Sequence, residues 1–211
     1  MIPSKNEWMD ALIARHGTPL HKRFSSAAVA ICGLGGLGSN IAIALARAGI
    51  GKLLLIDFDR VDITNLHRQQ YTAVQIGLYK AEALAENLSD IAPYTEVKAV
   101  TAKITEENFT DLLKDADIVC EAFDNAESKA MLVNGVLEQL PDCYVVAASG
   151  MAGMDTPNTI KTRRITKRFY LCGDEVSDVT DTTGLMAPRV MICAAHQAHT
   201  VLRILAGEYE I

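Results

Sequence analysis

The chain has 211 residues, 49% of them apolar and 22% charged, with a formal net charge of −6. That length and balance suit one soluble domain, residues 1–211, that buries a sheet between helices, and the acidic excess argues against general nucleic-acid binding. No apolar run is long enough to span a bilayer, and the stretch Met1 to Glu7 lacks the charged-then-apolar order of a signal peptide, so a cytoplasmic protein without membrane contact is expected.

Ser4 and Glu7 form a capping-box pattern ahead of Trp8, Met9, Leu12 and Ile13, which share one helical face. Gly17 and Pro19 are read as the end of this helix, leaving an N-terminal arm over residues 1–23. Ala27 to Cys32 is a short apolar run and predicts a buried parallel strand. Gly33-Leu34-Gly35-Gly36-Leu37-Gly38 follows, then a helix from about Ser39 to Ala48 and a second strand from Lys52 to Asp57. Helices are expected over Lys80 to Ser89, Glu106 to Lys114 and Glu127 to Leu140. Extended segments are expected over Thr95 to Val100, Asp117 to Glu121 and Tyr144 to Ala148. The alternation predicts an α/β, Rossmann-like, doubly wound and mostly parallel sheet. Beyond Gly150, Asn158 to Phe169 is extended and basic, residues 173–187 offer little apolar anchorage and predict a mobile loop, and Val190 to Leu205 is amphipathic.

The glycine turn is the first candidate site. A helix N-terminus carries unpaired N–H groups and partial positive charge, and Gly33, Gly35, Gly36 and Gly38 would let phosphate approach the backbone. Asp57, at the end of the second strand, is placed to accept ribose hydroxyls. These features alone suit an NAD enzyme equally well. Asn65, Arg68 and Lys80 could surround a triphosphate, although a solvated polar turn explains Asn65 and Arg68 by themselves. Asp124 follows a strand and could hold Mg²⁺ against phosphate, or could cap the next helix.

Taken together, Gly33 to Ser39, Asp57-Phe58-Asp59, Asn65-Leu66-His67-Arg68-Gln69, Lys80 and Phe123-Asp124-Asn125 resemble the ThiF/MoeB/HesA family. Its bacterial members adenylate the C-terminal glycine of a small ubiquitin-like sulfur carrier. The resemblance runs from about Phe24 to Ala206. It implies ATP and Mg²⁺ as cofactors, with Asp57 on the ribose and Gly35 and Gly36 on the phosphates. It also implies Asn65, Arg68 and Lys80 on the triphosphate and Asp124 on the metal, so that Arg68, Lys80 and Asp124 carry the catalysis. The family forms homodimers in which an N-terminal arginine reaches the partner's ATP, a role open to Arg15 or Arg23. The short form is most similar to the ThiF branch of thiamine biosynthesis, so the implied partner is a ThiS-like carrier. A tRNA-modifying dehydratase and a non-catalytic nucleotide-binding module are the alternatives.

The five cysteines, Cys32, Cys120, Cys143, Cys172 and Cys193, form no CxxC pair, and no zinc is expected. Cys172 has the setting nearest to that of a reactive thiol, after basic Lys167 and Arg168 and before acidic Asp174 and Glu175. Cys193, His196 and His199 do not share one helical face and read as packing residues.

Overall fold

The computed structural model describes residues 2–180 and 183–211; Asp181 and Thr182, inside the loop expected to be mobile, lie outside the described residues. The apolar runs become β1 (Ala28–Cys32), β2 (Lys52–Ile56), β4 (Ile118–Glu121) and β5 (Tyr144–Ala148), joined by β3 (Glu96–Val100), β6 (Lys161–Arg164) and β7 (Phe169–Gly173). Apolarity throughout β1 and β5, and in β4 as far as Cys120, follows from burial on both faces, as parallel sheets covered by helices require. The strand order is β3-β2-β1-β4-β5-β7-β6, and only β6 runs antiparallel, against β7.

Helices pack on both sides. Leu45 of α3 (Gly36–Arg47), Leu84 of α4 (Lys80–Ile91) and Val201 of α7 (Ala187–Ala206) fill one core with Ile31. Phe109 of α5 (Phe109–Leu113) and Leu132 and Val136 of α6 (Ala126–Gln139) fill the other with Ile56. The chain leaves β1 toward β2 and β3 on one side, then returns to β4 on the other. That reversal opens a crevice at the carboxyl ends of β1 and β4, where open α/β sheets bind ligands.

Several expectations need correction. The first helix, α1 (Lys5–His16), does end at Gly17 and has the capping box, but Pro19 does not stop the chain from being helical. It sits in the first turn of a second helix, α2 (Thr18–Ser26), where its missing N–H costs nothing. Helix α3 begins at Gly36 rather than Ser39, so the glycines form its first turn. The helix expected from Glu106 is confined to Phe109–Leu113. The basic stretch is a hairpin, with Lys161–Arg164 turning back onto Phe169–Gly173.

Candidate functional site

Gly33 turns the chain out of β1 at φ 89°, and a Cβ there would stand 2.7 Å from the Ala122 carbonyl. At Gly38 a Cβ would lie 1.8 Å from the Gly33 carbonyl, so only glycine lets α3 sit this close to the turn. Gly36 is tight against Val190 and Arg68, at 3.0 and 3.3 Å. Gly35 differs: its open side meets only Gln69 Nε2, at 3.7 Å. No side chain caps α3, so the unpaired N–H groups and positive dipole end face the crevice.

Asp57 closes β2 beneath this turn. Its Oδ2 accepts the Leu34 N–H at 2.6 Å, and its Oδ1 accepts the Asp59 N–H at 2.8 Å. Burial pushes its pKa up, against the pull of those N–H groups and of Lys80. The carboxylate expected on ribose therefore also staples the glycine turn to β2. Lys80 is buried at the start of α4, and its ammonium pairs with Asp59 at 2.8 Å.

Asn65 ends a 3₁₀ turn, Ile63–Asn65, whose cap is Asp62. Its amide reaches the Thr64 hydroxyl, at 3.1 Å. Arg68 is half-buried, and its Nε is buried without a partner among the described residues. Burial lowers its pKa, while the field of Asp124 raises it. Gln69 is buried, and its Oε1 has no partner among the described residues.

Asp124 is exposed in the turn after β4. The helix-cap role belongs to its neighbour: Asn125 Oδ1 accepts the Ser128 N–H at 2.8 Å. Asp124 makes no hydrogen bond to the described residues. One free, hydrated carboxylate suits Mg²⁺, which keeps several waters and takes one or two carboxylates besides phosphate oxygens. Among the described residues, no three His, Cys, Asp or Glu side chains gather to hold a metal by themselves.

The two N-terminal arginines lie apart from this crevice within the chain. Arg23 donates to the Ala206 carbonyl at the amino end of the sheet, beside Asp117. Arg15 is exposed on α1 and makes no such bond to the described residues. All five cysteines are buried and free. Cys172, whose flanking charges come nearest to those of a reactive thiol, is fully buried, 3.5 Å from the Thr162 hydroxyl, and burial pushes its pKa to about 11. His196 Nδ1 lies 2.9 Å from the same hydroxyl, as a packing residue would.

Sequence reasoning missed two buried charged residues and their partners. Glu121 ends β4 and pairs with Lys129. Arg189, in the first turn of α7, bonds the carbonyls of Ala152, Asp155 and Thr156 and the Asp174 carboxylate. That polar strut anchors the start of the loop expected to lack anchorage. A charge closing an apolar run at Glu121, and an arginine directly after Pro188, were the available signals. An open cleft of about 400 Å³, lined by His67, Arg68, Val179 and Leu185, leads from solvent to Arg68.

The sequence model of the ThiF family matches residues 9–211. Sulfur carrier protein ThiS adenylyltransferase of Bacillus subtilis (strain 168) is 32% identical over 204 residues, covering 93% of this chain and 60% of the relative. The tRNA threonylcarbamoyladenosine dehydratase of Haemophilus influenzae is 34% identical over 147 residues, covering 69% of this chain and 56% of the relative. The chain thus spans well under two thirds of the length of these two relatives. In overall shape it matches the crystal structure of E. coli tRNA N6-threonylcarbamoyladenosine dehydratase, TcdA, in complex with ATP. The TM-score is 0.86 at 23% identity, covering 99% of this chain and 98% of that one, a likeness of fold.

Proposed function

Because the chain belongs to the ThiF family, we propose that it adenylates the C-terminal glycine of a ThiS-like, ubiquitin-like sulfur carrier with ATP, releasing pyrophosphate, in thiamine thiazole biosynthesis. The observation that carries this reading is the convergence of an uncapped, glycine-lined helix start with a free Asp124 and a partly unpartnered Arg68. The carrier's carboxylate attacks the α-phosphorus of ATP, forming a carboxyl–phosphoryl bond as the bond to pyrophosphate breaks. A carboxylate nucleophile needs no general base, so the work of the protein is positioning and charge neutralisation. Asp57 holds the ribose, Gly35 and Gly36 the phosphates, and Asn65, Arg68 and Lys80 the triphosphate. Mg²⁺ on Asp124 would supply charge neutralisation at the phosphate oxygens. The carrier's tail enters by the cleft beside Arg68. A homodimer, with Arg15 offered to the partner's nucleotide, completes the reading, and no zinc or cysteine takes part in adenylation. No described helix is long and apolar enough to cross a membrane, in keeping with the proposed cytoplasmic setting.

The test is ATP–pyrophosphate exchange with Gly-Gly-ended carriers from the same cell. Exchange with one of them is expected, and its absence with all would sink the reading. The 34% identity to the Haemophilus dehydratase favours one second reading, activation of a small carboxylate on tRNA. Exchange that appears only on addition of tRNA would select it.

A further inference from the structure

β4 runs apolar and then ends on a carboxylate. Glu121 is fully buried, and burial pushes its pKa up while Lys129 and backbone N–H groups pull it back. Both carboxylate oxygens lie 3.0 Å from Lys129 Nζ. Oε1 also accepts the Phe123 N–H at 2.7 Å. Lys129 reaches from α6 to the Ala148 carbonyl at the end of β5, 3.1 Å away. From α7, Gln197 donates to the carbonyls of Glu121 and Val146, at 2.9 and 3.1 Å. Three elements, β4, α6 and β5, meet on this one ion pair, and α7 holds the backbone of Glu121. The turn that rises directly from it, residues 122–125, carries Asp124.

A buried ion pair is a weak source of stability, because desolvation offsets most of the attraction and an apolar pair of similar volume is often as stable. What the pair does supply is a fixed position. Glu121 cannot rotate while both oxygens are held, so the Phe123 N–H and the turn beyond it are held too. Gly33 packs against the Ala122 carbonyl in the same turn, so its position also sets the distance between Asp124 and the glycine loop.

We propose that the Glu121–Lys129 pair is a positioning device that fixes the Asp124 turn for binding of metal-complexed nucleotide. This rests on the role given to Asp124 above. The test replaces the pair by an apolar one of similar volume, Glu121→Met with Lys129→Met, in the full chain. Amide hydrogen exchange is read without ligand, and ATP affinity is read with and without Mg²⁺. The variant should melt within a few degrees of wild type, with exchange at Phe123 to Asn125 faster by about tenfold, as expected for losing a bond to a charged acceptor. It should also lose the gain in affinity that Mg²⁺ gives wild type, while metal-free ATP binds as before. A merely structural pair would not move that Mg²⁺ increment. Should the double variant fail to fold, Glu121→Gln keeps the volume and only a neutral acceptor for the Phe123 N–H, so the same readouts should move in the same direction by a smaller factor. Lys129→Arg, which preserves the pairing, should keep both slow exchange and the Mg²⁺ response. Wild-type exchange rates at Phe123 to Asn125 in the neutral variants would overturn the proposal. That readout needs no carrier, so failure of the proposed reaction and failure of this inference are told apart.

Discussion

Asp124 and Asn125 are adjacent, and the structure divides two jobs between them. Asn125 closes the start of α6, and Asp124 is left free beside Arg68. Asp124→Ala should therefore lower carrier-dependent pyrophosphate exchange by more than about a hundredfold with little change in melting midpoint. Asn125→Ala should do the opposite, losing roughly 1 kcal/mol of stability with activity per folded molecule kept. Exchanged outcomes in a paired melting and exchange assay would reverse the assignment. Phosphate and nucleoside contacts separate in the same way. Arg68→Ala should weaken ATP far more than adenosine, since a charge-assisted bond to phosphate is what is lost. Asp57→Ala should weaken both ligands and also loosen the turn that its carboxylate staples at Leu34. Equal losses for ATP and adenosine in Arg68→Ala, measured by titration calorimetry, would contradict the placement of the triphosphate.

Among the elements, the loop after β7 has the most to show. Its first residue, Asp174, is pinned to Arg189 and to the N–H groups of Val176 and Ser177. Burial raises its pKa, but those bonds outweigh it and bring the group from 3.8 down to about 2. A folded pKa below the unfolded one gives stability that is present above about pH 4 and lost as pH falls toward 2. Asp174→Asn should flatten that acid limb, and thermal melts at steps from pH 5 to pH 2 would show it. Parallel curves for variant and wild type would remove the strut from the account of loop anchorage. How legible such features are in sequence depends on how local they are. The strands β1, β2, β4 and β5 show as apolar runs, and the glycine turn and α7 show by spacing. The β6–β7 hairpin did not show: its turn, Ile165 to Arg168, has neither glycine nor proline, and Lys161–Arg164 is polar because it lies at the sheet edge. The ion pairs of Lys80 with Asp59, Lys129 with Glu121 and Arg189 with Asp174 close only in three dimensions. No periodicity announces them.

For the molecule as a whole, chemistry and packing keep to different regions. The residues assigned to nucleotide gather at the carboxyl ends of β1, β2 and β4, while every cysteine is spent inside the sheet and its helices. Burial raises the thiols of Cys143 and Cys193 to about 12 and that of Cys172 to about 11. The native protein should therefore give almost no colour with an aromatic disulfide reagent at pH 8, and five thiols after denaturation. Cys172→Ser should form carrier adenylate at the wild-type rate. A fast-reacting native thiol, or loss of adenylate in that variant, would overturn the packing role.

The position of β1 has a consequence for how the protein comes into being. Its first residue, Ala28, donates its N–H to Asp117, 89 positions later in the chain, and the ledge that closes over Gly33 is Ala122. A ribosome that has released β1, α3 and β2 has released the whole glycine turn, yet the wall the turn leans on is still unsynthesised. Closing so long a loop is slow and unrewarded until it is complete. The proposed nucleotide pocket should thus be completed late in folding, so that ATP bound there would slow unfolding without seeding the nascent chain.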